Sequence, residues 1–274
     1  MPVSNPAHTA PTIGMSILSW RGTASLENAL ASYTRAKLFN LFDERVIILP
    51  NPDDAVRKIA KKYPLKPVEF SQNLGIAGGL KAAAEALKTD YILLLENDCP
   101  LIESIAAAKA QIKLSIQALS AGDAFVSRLR SRREPGDLFS SAVKYHRYWN
   151  NTLSAKIRCN LRPFKATRLC GRAVYTVDHP HQRHPNYIRK HSPDTYIVSP
   201  KAIQWTNQSI LMRRRDFLDR IIPYVQTQPL KRTINGFHNI EIELNRSRFW
   251  TQSNFNVLCP PGLFTHKRLE DRGY

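Results

Sequence analysis

Glu96-Asn97-Asp98 follows an apolar run, YILLL (91–95), at the point where a buried strand should be leaving a core. Carboxylates at i and i+2 on a turning segment can reach one hard cation and, through it, a diphosphate. Mg2+ and Mn2+ favour carboxylate oxygen together with substrate phosphate. An isolated pair of this kind is more often a solvated turn, because acids are usually exposed. Far downstream, GFHNIEIELNR sets Glu241 and Glu243 near a helix start beside apolar neighbours. Either could be a general base close to a reacting hydroxyl, although a first-turn Glu favoured by the helix dipole is common. His266, in GLFTHKR, follows a late strand and could be a third metal ligand. A lone His is more often structural or solvated.

Two further stretches carry polar chemistry. In SQNLGIAGGLKAAAEA, Asn73 and Gly75 follow a strand and Gly78-Gly79 open a helix. Glycines there allow close backbone approach to a ligand, and a helix N-terminus favours anions. The pattern is neither GxGxxG nor a Walker loop, so a dinucleotide site or P-loop is unsupported, and a tight turn with close packing explains it equally well. VDHPHQRHPNYIRKH packs His179, His181, His184 and His191 together. Its spacing fits no standard zinc finger, and its prolines favour an irregular substrate loop.

These groups need elements to position them. TIGMSIL (12–18), RVIILP (45–50), PVEF (67–70) and YILLL (91–95) read as strands. Helical spacing fills the gaps: 25–39 with Ser25 as N-cap, a helix started by Asp53 or Asp54, and an Ala-rich helix over 78–88. Such β-α-β-α-β-α-β alternation argues for a mostly parallel sheet with helices on both faces and a central fourth strand. Ligands bind such sheets beyond the carboxyl ends of the strands. The residues to inspect are therefore Ser19-Trp20-Arg21, Asn51, Asn73 through Gly79, and Glu96-Asn97-Asp98. Beyond a helix at 101–120 and a strand at 124–129, residues 130–195 show little periodicity. Regular signals return as strands at 195–200, 208–212 and 255–260, a helix over RDFLDRIIPYV and a helix over 239–250.

The chain has 274 residues, 43% of them hydrophobic, which supports one large α/β domain and excludes global disorder. No apolar run reaches the roughly 18 residues of a spanning helix. The polar, Pro-rich start reads as a loose arm without a signal-peptide stretch, so the sequons at Asn150, Asn207 and Asn245 read as chance matches. The four cysteines form no CxxC pair. They fit reduced thiols in a cytoplasmic setting better than a zinc site. Residues 1–127 hold 13 basic and 12 acidic side chains, whereas residues 128–274 hold 27 and 10. That one-sided excess implies an anionic partner: nucleic acid, an anionic membrane or a phosphorylated substrate.

Together these segments resemble the GT-A glycosyltransferases, most closely those of the family 2 type. SILSWRGTASLENALASY resembles that family's first strand and helix, and RVIILPNPDD its second strand and nucleotide-contacting turn. The 29-residue block NLGIAGGLKAAAEALKTDYILLLENDCPL is the most specific part. It is similar to the family's Asn-x-Gly turn, Ala-rich helix, strand and acidic metal motif, with Glu96 in the place of the usual first Asp. QSILMRRRDFLDRI, GFHNIEIELNR and GLFTHKR resemble later acceptor-side segments, and residues 130–195 match nothing in the family.

The resemblance implies a GT-A fold: a Rossmann-like, mostly parallel sheet flanked by helices, with a basic insertion. It divides the chain into an arm (1–11), a nucleotide-sugar half (12–129), the insertion (130–195) and an acceptor half (196–274). It implies transfer of a sugar from a nucleotide-sugar, UDP first, to an acceptor hydroxyl, by an inverting route with Mn2+ or Mg2+. Glu96, Asp98 and His266 would hold the metal. Ser19, Trp20, Arg21 and Asn51 would line the nucleoside pocket, with Asn97 beside the metal motif. Asn73, Gly75 and Gly79 would shape the floor near the phosphates. Glu241 is the first choice of base and Glu243 the second. The acceptor would be a glycan, glycolipid or other hydroxyl compound, anionic if the insertion contacts it, and the insertion could instead dock on anionic lipid. A nucleic-acid-binding protein is the main competitor, but no nucleic-acid module is present. A nucleotidyltransferase would need a triphosphate-binding basic motif, for which Arg21 alone is thin support. A nonenzymatic relic of the fold is opposed by retention of both acids, Glu241 and His266.

Overall fold

The computed structural model describes residues 10–137, 140–229, 236–245 and 247–270. All but the last two residues of the expected arm lie outside them. One nine-stranded sheet runs in the order β3-β2-β1-β4-β8-β5-β9-β7-β6. Its first four strands are β1 (Ile13–Leu18), β2 (Glu44–Pro50), β3 (Lys66–Phe70) and β4 (Tyr91–Glu96). They pair in parallel, Ile17 facing Ile47 on one side and Leu95 on the other. Strand β8 (Ile210–Arg213) runs antiparallel to β4 and to β5 (Val126–Arg128), while β9 (Val257–Cys259) is parallel to β5. Strand β7 (Thr195–Val198) is antiparallel to both β9 and β6 (Ile188–Ser192). Only β7 and β8 therefore oppose the common direction.

The central strands β1 and β4 are mostly apolar because helices cover both faces. Alternate side chains feed two cores. Met15, Ile17, Ile47, Leu93 and Leu95 pack with α1 (Thr23–Arg35), α2 (Asp54–Lys61) and α4 (Ile105–Ser120). Leu18, Val46, Ile48, Ile92 and Leu94 pack with α3 (Gly75–Ala86) and with the helical stretch from α9 (Arg214–Asp216) to α10 (Ile222–Thr227). Strand β3 carries Pro67 and is mostly exposed, as suits an edge.

Several local expectations change. Ser25 does not cap α1. Gly22, at φ 82°, stands at the cap, and Ser25 lies buried inside the helix, its Oγ accepting from Leu269 N at 3.0 Å. Asp53 does cap α2, accepting from Val56 N at 2.8 Å. The single helix expected over 239–250 is two short ones, α11 (Ile240–Asn245) and α12 (Arg248–Thr251). Residues 130–195 are largely helical: α5 (Ser141–Trp149), α6 (Leu153–Leu161), α7 (Pro163–Cys170) and α8 (Pro180–Arg183) precede β6. Their turns are short and rich in cations, so an apolar period is weak in the sequence.

Candidate functional site

The chain leaves β1 toward β2 on one side and returns through β3 and α3 to place β4 on the other. This makes the carboxyl ends of β1 and β4 a topological switch point, where open α/β sheets form their ligand crevice. The segment after β1 turns sharply, with Arg21 at φ 55° and Gly22 at φ 82°. Arg21 stacks its guanidinium over the Trp20 ring, 4.8 Å from the centroid. Asn51, after β2, is exposed at φ 48°.

Asn97 is buried beneath that first turn. Its Nδ2 donates to Arg21 O at 2.6 Å, Ser19 Oγ at 3.3 Å and Gly22 O at 3.4 Å. It therefore fixes the loop that borders the crevice. Asn73 closes a local turn by accepting from Gly75 N at 2.9 Å. Gly75 has φ +63°, and a Cβ there would stand 2.4 Å from Phe237 Cβ. At Gly79 a Cβ would stand 2.6 Å from Leu18 Cδ1. Both glycines are thus required by packing, Gly75 against the segment leading to α11 and Gly79 between α3 and β1.

Asp98 is fully buried, and three consecutive residues of the segment after β9, 266–268, converge on it. His266 Nε2 is 3.1 Å from its Oδ2, Arg268 Nε is 3.6 Å from the same oxygen, and Lys267 N donates to Asp98 O at 2.8 Å. His266 Nδ1 lies 3.2 Å from the Asp137 carbonyl, which can only accept, so Nδ1 carries a proton. Nε2 then either shares a second proton with Asp98 or lends its lone pair to a cation. Burial opposes charge on His266, but the Asp98 hydrogen bond and carboxylate outweigh it and raise the imidazole above its ordinary value. One carboxylate and one imidazole could hold a divalent cation, Mn2+ more readily than Mg2+, that takes its remaining ligands from water and substrate phosphate. Among the described residues no three His, Cys, Asp or Glu side chains are arranged to hold a metal by themselves. Glu96, the last residue of β4, is half-buried two positions before Asp98.

A cavity of about 540 Å³ opens on the same edge of the sheet. Its walls include Arg128 and Arg130 at the end of β5, Arg168 and Arg172 around the end of α7, Lys144 of α5, and one carboxylate, Glu241. Glu241 is anchored by Asn207 N, which donates to its Oε1 at 3.0 Å. Arg130 donates to Gln208 Oε1 at 2.5 Å and to Asp137 O at 3.1 Å. Since Asp137 O also meets His266, Arg130 ties the cavity to the Asp98–His266 pair. Burial and the neighbouring guanidiniums push both Arg130 and Arg172 below the usual arginine range. Glu243 does not line this cavity; its Oε1 faces His238 Nδ1 at 4.0 Å.

The sequence reading missed the arginines at 128, 130, 168 and 172. The available signal was the basic excess after residue 127 and the Arg-x-Arg step at the end of a strand. Of the histidine-rich stretch, only His184 is buried among the described residues, whereas His179 is exposed. His184 is buried against the Tyr145 hydroxyl at 2.9 Å, and burial followed by Arg183 lowers it to about 4. All four cysteines are free.

Residues 22–104 match the model of glycosyl transferase family 2. No curated protein matches the sequence. Among solved structures, TarS 1–349 from S. aureus superposes with a TM-score of 0.52 at 12% identity, covering 93% of this chain and 60% of that one. Mannosyltransferase PcManGT from Pyrobaculum calidifontis, in complex with GDP-Man and Mn2+, superposes at 0.51 and 12%, covering 99% and 62%. A mycobacterial protein superposes at 0.50 and 11%, covering 95% and 68%. This chain thus spans about 60% of the first two, and what it shares with all three is the fold.

Proposed function

We propose that this chain, which carries a family 2 glycosyl transferase region on a GT-A-type fold, moves a sugar from a nucleotide-sugar donor to the hydroxyl of an anionic acceptor. The observation that carries this reading is the placement of two unlike sites on one sheet edge: the buried Asp98–His266 pair at the switch point, and Glu241 in a cationic cavity beside it. The PcManGT complex holds GDP-Man and Mn2+; for this chain a UDP-sugar is the first donor to test.

In this reading Ser19, Trp20, Arg21 and Asn51 border the nucleoside. Asn73, Gly75, Gly79 and Asn97 set the positions of those loops and of α3. Asp98 and His266 would hold Mn2+ or Mg2+, with Glu96 orienting Asp98 or the sugar. A cation held by Asp98 and His266 would supply neutralisation of charge on the diphosphate leaving group. Glu241, held by Asn207 N, takes the proton of the acceptor hydroxyl. The oxygen so freed attacks the anomeric carbon as the bond to the diphosphate oxygen breaks, and the nucleoside diphosphate leaves with the electron pair. Direct displacement inverts the anomeric centre. The arginines bind the acceptor's negative charge through fork-shaped donors suited to phosphate or carboxylate, and Lys144 adds a point charge. Residues 12–129 then serve the donor, residues 196–274 the acceptor, and the cationic insertion shares the acceptor site.

Thermal shift with UDP-, GDP- and dTDP-sugars, with and without Mn2+, tests the donor side. One nucleotide should stabilise the protein in a Mn2+-dependent way, and Asp98→Asn should remove that dependence. No stabilisation by any nucleotide counts against the enzyme reading.

A further inference from the structure

Residues 138–177 contain eight Lys or Arg and no Asp or Glu. Three of these cations, Lys144, Arg168 and Arg172, turn to the cavity. The outer side of the same helices has a different character. Leu153, Ile157 and Leu161 recur every four residues along α6 and are 73%, 49% and 77% exposed. Phe164, at the start of α7, is 86% exposed. Opposite this stripe, Ala155 is buried and Cys159 Sγ donates to Tyr148 O at 3.1 Å, so α6 already has a packed inner face. Lys156, Arg158, Arg162 and Lys165 are exposed around the apolar stripe. Among the described residues, exposed large apolar side chains outside this insertion are only 37–46% exposed. A run of bulky apolar groups this open is unusual unless something covers it.

We propose that the outer face of α6 and the start of α7 docks on an anionic lipid surface. Leu153, Ile157, Leu161 and Phe164 enter the headgroup–acyl boundary, and the surrounding cations pair with lipid phosphates. The charge pattern selects this occupant. An apolar stripe ringed by cations without a single acid matches an anionic interface, in the way amphipathic surface helices do. A second copy of this face would bring like charges together. No helix among the described residues is long and apolar enough to cross a membrane, so the contact is peripheral. The fold of the insertion holds α6 against α5 and α7, which gives this short helix the support it would lack alone.

The test is co-sedimentation of the full chain with phosphatidylglycerol/phosphatidylcholine vesicles and with phosphatidylcholine vesicles. The protein should pellet with the anionic vesicles, less so at high salt, and stay in the supernatant when mixed with neutral ones. Leu153→Ser, Leu161→Ser and Phe164→Ser combined should weaken binding by about tenfold or more. These positions are exposed, so an unchanged melting temperature verifies the fold. Failure of the wild-type chain to bind, or equal binding by the triple variant, overturns the proposal. So does a concentration-dependent dimer, seen by light scattering, that the triple variant abolishes, because a second copy then covers the stripe.

Discussion

At the scale of the residue, two glutamates two positions apart have different surroundings. Glu241 enters the cationic cavity with one oxygen held by Asn207 N, whereas Glu243 faces His238. A base needs a fixed carboxylate on the acceptor's side, and Glu241 is the one so fixed. Glu241→Gln should lower the rate of transfer by about 10²–10⁴-fold while donor binding stays unchanged. Glu243→Gln should keep most of the activity. Initial rates and donor titrations on both variants check this, and the reverse ranking would move the base to Glu243. His266 illustrates a different limit. Its place after a late strand, in GLFTHKR, makes it only a candidate ligand, and its partner is Asp98, 168 positions away.

At the scale of the element, the crevice depends on how loops are tied to strands. Asn97 leaves β4 and donates to three oxygens of the turn after β1. Asn97→Ala should cost about 1–3 kcal/mol of stability, because buried acceptors lose their donor. It should also raise the KM for donor more than it lowers kcat, since Asp98 keeps its contact with His266. Urea unfolding and steady-state kinetics read the two effects. Gly75 ties α3 to the approach to α11. Gly75→Ala meets both a positive φ and Phe237, and should destabilise by about 2 kcal/mol or more in the same unfolding experiment.

At the scale of the whole molecule, the basic half and the neutral half meet along one sheet, and the helical insertion is held by its own buried contacts. Tyr145–His184 is one of them, and it makes the insertion acid-sensitive. The folded His184 titrates near 4, below its ordinary 6.5. Above pH 6.5 it is neutral in both states and its packing is fully favourable. As pH falls from 6.5 to 4 the unfolded chain takes up the proton first, and that stability is lost. Melting temperatures at pH 7.5 and 4.5 should fall further for the wild type than for His184→Gln. The parallel half of the sheet was legible in the sequence because β1, β2 and β4 are mostly apolar runs joined by helices of regular period. The motif 73–101 and the acidic step after β4 were legible for the same reason. The insertion's helices were not, since short cation-rich turns leave little apolar period. The sequence alone determined the α/β alternation, the crevice-facing loops and the set of acids and His residues available for chemistry. Only the tertiary structure decided that Asp98 meets His266, that Glu241 rather than Glu243 enters the cavity, and that Arg128, Arg130, Arg168 and Arg172 surround it. These groups lie tens to more than a hundred residues apart in the chain, and folding, not local spacing, brings them to one site.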